Sequence, residues 1–234
     1  MTPTVFAALA TAVAVGGFVQ GTIGFGFALI VAPIAIALAP DLIPTTVLVL
    51  MIPLSLYVIA RERGAIDLAS AGWVTLGRVV GTFAGLAVLL LLSPERLRVL
   101  VGLSTLAAAL ASLLAPSFLP GRRACAVAGA VTGVTETATG IGGPPLALVF
   151  QHAPGPVLRT TVALCFLLGQ ALSVAILALV GRITTVQLWS AVLLALPLSG
   201  GAYLSRFAHG ALDARTLRWA VLGFAIASGA WLVL

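Results

Sequence analysis

The sequence predicts an all-α polytopic membrane protein of two inverted repeats, each a broken, re-entrant helical hairpin followed by three transmembrane helices. Three observations carry that expectation. The 234 residues are 61% hydrophobic and 8% charged, with a mean hydropathy of +1.22, too little polar matter to clothe a soluble domain. Apolar runs follow one another along the chain, and glycine clusters interrupt two of them: "GTIGFGFALIVAP" from Gly21 to Pro33 and "TGIGGPPLALVF" from Thr139 to Phe150. The arginines between the runs divide unevenly between two sides only if those two runs turn back.

The runs fall at 5–39, 42–60, 68–92, 97–119, 124–151, 160–180, 186–207 and 215–234. Most suit one crossing, since a helix of about 20 residues spans the roughly 30 Å hydrocarbon layer at ~1.5 Å per residue. The first run is too long for one crossing and slightly short for two, so a hairpin that enters to about mid-membrane and returns to its own side suits it. Run 124–151, with its own glycine cluster, is read the same way. The first run has no basic start and leads straight into glycines, which argues against a cleaved signal peptide.

Backbone can leave the helix at membrane depth only where protein or a water-filled cavity satisfies its N–H and C=O groups. Gly21, Gly24 and Gly26 in one break, and Gly140, Gly142 and Gly143 in the other, open backbone angles closed to other residues. Pro144 and Pro145 then suit the first turn of a returning half-helix, where a missing N–H is no loss.

The repetition extends beyond the breaks. Thr45-Thr46-Val47 recurs as Thr160-Thr161-Val162, Gly64-Ala65-Ile66 as Gly181-Arg182-Ile183, Trp73 as Trp189 and Leu97-Arg98 as Leu217-Arg218, at offsets of 115 to 120 residues. Shared order and spacing indicate a duplication, with repeats at 1–119 and 120–234. Were all runs full crossings, five arginines (61, 63, 122, 123, 182) would face six (96, 98, 159, 206, 215, 218). With hairpins, Arg61, Arg63, Arg122, Arg123, Arg159, Arg206, Arg215 and Arg218 share one side, against Arg96, Arg98 and Arg182. That eight-to-three bias marks the cytoplasmic side and puts both termini on the other. An odd number of crossings per half inverts the second half, the plan of secondary transporters.

Discontinuous helices offer an anion site, because half-helix N-termini aim free N–H groups and the positive dipole end at the midplane. The expected substrate-binding residues are Gln20, Gly21, Thr22, Gly24, Gly26, Thr139, Gly140, Gly142 and Gly143 at the breaks, with Arg78 and Gln170 deep in their runs. The alternative for the break glycines is close helix packing, since Gly17-x-x-x-Gly21 and Gly129-x-x-x-Gly133 have small-residue spacing. Gly77, Gly81 and Gly85, four apart on one face, read as a packing seam. Arg78 either balances an anionic substrate or belongs to a structural pair. Glu136, the only acid well inside a run, is a candidate proton carrier or the partner of Arg78. Gln170 either lines the pathway or bonds between helices.

Other chemistries fare poorly. All twelve basic residues are arginine, which removes Walker A phosphate binding and lysine Schiff bases. A pI near 11.0 suggests nucleic acid, but the arginines stand one to three at a time between apolar runs, as membrane connectors do. No His/Cys/Asp/Glu spacing suits a metal, no serine sits in a Gly-x-Ser-x-Gly elbow, and no cofactor is implied. Cys125 and Cys165 read as buried inert thiols, and His152 and His209 as membrane-edge residues.

Two copies of a glycine break (Gly21-x-x-Gly24-x-Gly26 and Gly140-Ile141-Gly142-Gly143-Pro144), the "TTV" runs, and "RERGAID" and "GRITTVQLW" before the next helix resemble the TauE/SafE sulfite exporter family, also called the 4-toluene sulfonate uptake permease group. The resemblance runs from about Val5 to Leu234. It implies an inner-membrane permease moving sulfite, sulfoacetate, thiosulfate or a related organosulfur anion, often outward. Phe25 and Phe27 interleave the first break, and Pro144-Pro145 stands where many members carry another glycine and an aromatic. The expected function is therefore export of a small sulfur oxyanion in the lipid bilayer, with protons as coupling ion. The alternatives are a passive anion channel, an importer of organosulfonates or thiosulfate, and an intramembrane enzyme or assembly subunit.

Overall fold

The computed structural model describes residues 2–62, 66–114, 121–151, 153–208 and 214–234. Arg63, Gly64, Ala65, His152, His209 and the expected repeat boundary at 119/120 lie outside them. Among the described residues the chain is helical without strands: α1 (Pro3–Ile23), α2 (Phe27–Leu38), a 3₁₀ turn (Pro40–Leu42), α3 (Thr45–Glu62), α4 (Leu68–Leu91), α5 (Pro94–Leu114), α6 (Arg122–Thr139), α7 (Gly143–Val149), α8 (Gly155–Leu179), α9 (Thr185–Ala208) and α10 (Ala214–Val233). Seven of these (α1, α3, α4, α5, α8, α9 and α10) are long and apolar enough to cross a membrane. Their outer faces carry large apolar side chains in the open, Leu91, Leu179 and Leu196 among them, as contact with lipid requires.

The two interrupted runs are hairpins. Arg61, at the end of α3, donates from Nη2 to the Gly21 carbonyl near the end of α1, at 2.6 Å. Helices α1 and α3 therefore run the same way, and α2 returns the chain to its starting side. In the second hairpin, the Arg122 guanidinium at the start of α6 lies 5.9 Å from the Trp73 ring. The start of α8 reaches the same end, where Asp67 N–H donates to Thr161 Oγ1 at 3.0 Å. The two arms of the first hairpin differ in length. The 21 residues of α1 span about 31 Å, whereas the 12 of α2 span about 18 Å. The chain stays helical through Gly16, Gly17 and Gly21, so the turn comes only at Gly24.

Helix packing explains the glycine spacing. Gly77, Gly81 and Gly85 of α4 press on the backbone of Ala126, Ala130 and Val134 in α6, and Gly129 and Gly133 return the contact against Val74 and Arg78. A Cβ at most of these positions would overlap a backbone carbonyl. Helix α1 lies on α9 through Gly17 against Leu198 and Gly201 against Ala14. Helices α3 and α8 run antiparallel, since Gln170 reaches Met51 and Arg159 reaches Glu62, and Thr46 Oγ1 at the start of α3 donates to the Gln187 carbonyl in the first turn of α9. Helices α5 and α10 also pair, with Gly102 against Gly229 and Arg218 Nη2 donating to the Ser112 carbonyl at 2.7 Å.

Arg61, Arg122, Arg159, Arg206 and Arg218 accordingly gather at one end of the bundle. Arg98, over the Trp231 ring, and Arg182 lie at the other, together with the start of α1 and the end of α10. Asp67 caps α4 there on the arginine-rich end, its Oδ1 accepting from Ser70 N–H at 3.0 Å. Hydrogen bonds from Ser70 hold the Asp67 carboxyl below its ordinary value.

Candidate substrate site at the meeting of two helix breaks

Each hairpin turns on a glycine in the left-handed region. Gly24 (φ 90°) ends α1 and Gly140 (φ 81°) ends α6, each N–H donating back at 2.8 Å to the carbonyl four residues earlier, Gln20 and Glu136 respectively. A side chain at such φ values is strained, so glycine stops the helix here. Gly142, at φ −134°, needs glycine for space: a Cβ would stand 2.7 Å from Glu136 Oε2 and 2.8 Å from Thr132 Cγ2. The two breaks touch. A Cβ on Gly143 would lie 3.4 Å from Phe25 Cβ and 3.9 Å from Gly26 N.

Arg78 sits beside this contact, 1% exposed and deep in α4. Its Nη2 is ion-paired with Glu136 Oε2 of α6, and its Nη1 donates to the Cys165 carbonyl of α8 at 3.5 Å. The guanidinium also lies 6.0 Å from the Phe166 ring centre. Gly169 makes room for it, since a Cβ there would fall inside the guanidinium. Glu136 is fully buried, and its Oε1 accepts from Gln170 Nε2 at 2.8 Å. Two polar atoms of the group have no partner among the described residues: Arg78 Nε and Gln170 Oε1. Next to them, Thr137 and Ser173 share a hydrogen bond of 2.9 Å, and Thr132 Oγ1 donates to the Gly142 carbonyl at 3.2 Å.

The remaining expected residues divide. Gln20 Oε1 accepts from Phe27 N–H at 3.1 Å, so its side chain caps α2 and takes one of the amides that otherwise face the break. Thr22 and Thr139 donate into their own helices, to the Phe18 and Thr135 carbonyls at 2.7 and 2.6 Å. Thr139 Oγ1 also accepts from Ile141 N–H at 3.3 Å. Gly21 stays within α1, one turn before the break, and packs on Ser205 of α9. In α7, Pro144 and Pro145 occupy the first turn as expected, which also removes two amide donors from that half-helix. Both cysteines are buried free thiols.

Sequence reasoning missed a second charged group. Glu62 bridges Arg61, at 2.5 Å, and Arg159, at 2.6 Å, while Arg61 Nη1 donates to Ser205 Oγ at 2.6 Å. This group ties α1, α3, α8 and α9 together at the arginine-rich end, and Arg159 Cγ lies 3.0 Å from a Cβ built on Gly24. The signal was an acid between two arginines in "RER"; its distant partner Arg159 had none. At the opposite end a cavity of about 290 Å³ is lined by Asp41, Thr45, Arg182 and Gln187. It lies two residues from Val47, the side chain on which Gly140 packs. A larger cavity of about 590 Å³, between α5, α6 and α7, is lined almost wholly by apolar side chains such as Leu103, Val131 and Pro144.

A buried ion pair thus lies beside two touching helix breaks, as in the discontinuous-helix sites of transporters. The family described as Sulfite exporter TauE/SafE matches residues 8–232. The chain belongs to the TauE/SafE family. It is thus a multi-pass membrane transporter and not an enzyme, and the family name points to a sulfite-type anion as substrate class. No curated protein and no solved structure matches the chain. Within a TauE/SafE transporter, the Arg78–Glu136–Gln170 group is the one fully buried charged centre among the described residues, and it lies against the turn of the second hairpin, which in turn touches that of the first.

Proposed function

We propose that this TauE/SafE protein is a secondary transporter that exports sulfite or a related small sulfur-containing anion across the inner membrane, coupled to protons through Glu136. The observation that carries the reading is the contact of the two breaks beside Arg78. A charge that deep in a bundle is costly and marks a pathway or its counter-ion. Here it keeps an unpartnered donor, Nε, packed against Gly169 of α8. The proposed site comprises Arg78, Gln170 and the tips Gly24 to Gly26 and Gly140 to Gly143, with Gln20, Thr22 and Thr139 supporting the turns.

The inverted-repeat plan with halves 1–119 and 120–234 belongs to the same proposal. Reciprocal packing supports it: α4 lies on α6 as α9 lies on α1, α5 meets α7 as α10 meets α2, and α3 and α8 pair antiparallel. The repeated threonines also exchange partners, Thr161 with Asp67 and Thr46 with Gln187. The arginine-rich end is proposed as cytoplasmic, with both termini outside.

The test is a thermal-shift panel of sulfite, sulfate, thiosulfate and organic sulfonates on the purified protein, followed by flux into proteoliposomes. Saturable flux and counterflow of a sulfur oxyanion are expected; no binding and no flux for any of them would overturn the reading. Glu136→Gln should uncouple flux from a pH gradient, and unchanged gradient-driven transport would remove Glu136 from that role.

A further inference from the structure

The Arg78–Glu136 pair is neutral as a unit, buried, and placed where the substrate reading puts the anion. An anion added to the intact pair would leave one uncompensated negative charge in a dry interior, which low-dielectric surroundings strongly penalise. We propose that the Glu136 carboxylate is the resident stand-in for the transported anion at Arg78, so that one monovalent anion and one proton occupy the site together. This rests on the substrate site proposed above and names its substrate class: monoanions such as hydrogen sulfite and alkyl sulfonates, in preference to dianions such as sulfate.

The charges balance at each step. In the empty site the guanidinium carries +1 and the carboxylate −1. A proton converts Glu136 to a neutral acid, Arg78 Nη2 releases Oε2, and the anion takes its place, again giving net zero. A dianion would leave −1. Gln170 suits both states, because its amide has a donor and an acceptor on one rotor. Its Nε2 donates to the carboxylate now, and its unpartnered Oε1 can accept from the acid after the amide turns over. Arg78 Nε, packed against Gly169 of α8, is a second donor without a partner. Gly142 lies flush against Oε2, which places the exchanging oxygen at the tip of the second break. Glu136 is faced by Arg78 from α4, which also donates to the Cys165 carbonyl of α8, by Gln170 from α8, by Thr132 of its own helix and, through Gln170, by Met51 of α3. Arg78 is its one ion-pair partner among the described residues.

Calorimetry on the wild-type protein decides it. Hydrogen sulfite is titrated below the second ionisation of sulfurous acid, in two buffers of different ionisation enthalpy, which counts the protons taken up per anion bound. One proton is expected for wild type and none for Glu136→Gln, which should still bind hydrogen sulfite. Proteoliposome flux of hydrogen sulfite should respond to a pH gradient and not to a potassium diffusion potential, because the loaded site is neutral. Binding without proton uptake, or flux driven by the potential, would overturn the exchange. If Glu136→Gln fails to fold, the wild-type proton count and potential test still decide. Absence of any anion binding to wild type would instead sink the underlying site assignment.

Discussion

Gly142→Ala tests the geometry most finely, because the backbone at this position tolerates alanine and only space forbids it. The added methyl would stand 2.7 Å from Glu136 Oε2, 0.7 Å inside the 3.4 Å at which ordinary contact begins, and 2.8 Å from Thr132 Cγ2. Either the tip of the second break or the carboxylate must move. Moving the carboxylate disturbs both the Arg78 pair and the 2.8 Å bond from Gln170. Overpacking of this kind costs about 1–3 kcal/mol. At roughly 1.4 kcal/mol per decade that is about a 5- to 150-fold loss in sulfite affinity or flux if the strain falls on the bound state. Gly72→Ala is the control: it lies in α4 with no atom within 4 Å of its Cβ position, and alanine there should be neutral or stabilise by up to ~1 kcal/mol. The assay is flux into proteoliposomes at matched insertion, with Tm of the purified variants. Wild-type flux and Tm for Gly142→Ala would refute the packing of the second break on Glu136.

Three further outcomes follow from the fold. Gly81→Val drives a side chain into the Ala130 carbonyl, so α4 and α6 must part; a loss near ~3 kcal/mol is expected, read as lowered Tm and poor monodispersity. Glu62→Gln leaves Arg61 and Arg159 without their shared carboxylate and should lower stability by about 1.5–3 kcal/mol, roughly 3–12 °C in Tm. Asp67→Ala removes the α4 cap at a cost of about 1 kcal/mol. Because the Asp67 carboxyl is held below its ordinary value, the cap's contribution is present at neutral pH and is lost as pH falls through that lowered value. The Tm gap between wild type and Asp67→Ala should therefore close on acidification.

Much of this architecture was legible from residue type alone. Glycine clusters inside apolar runs have few uses at membrane depth, so both breaks were readable. Arg78 and Glu136 stood out singly as rare charges, with their pairing one of two open readings. What was not legible depends on contacts between distant segments. Nothing in the spacing brings Arg159 to Glu62, or Gly169 beneath the Arg78 guanidinium. Where the first turn falls was not legible, because glycines at 16, 17 and 21 look alike to those at 24 and 26. Only packing on Phe27, Leu198 and Ser205 keeps the earlier ones helical. The roles of Gln20, Thr22 and Thr139 were equally hidden, since a polar side chain beside a break can cap a helix as readily as face a ligand.

The central claim is that the tips of the two interrupted helices meet and that an anion passes between them. Phe25→Cys with Gly143→Cys, in a background of Cys125→Ala and Cys165→Ala, places two thiols at a Cβ separation of about 3.4 Å, close to the spacing of a natural disulfide. Bridging them with a short alkylating cross-linker, whose thioethers sulfite cannot cleave, should succeed in intact proteoliposomes and abolish sulfite flux that the unbridged double variant retains. Failure to bridge, or full sulfite flux through the bridged protein, would contradict the account.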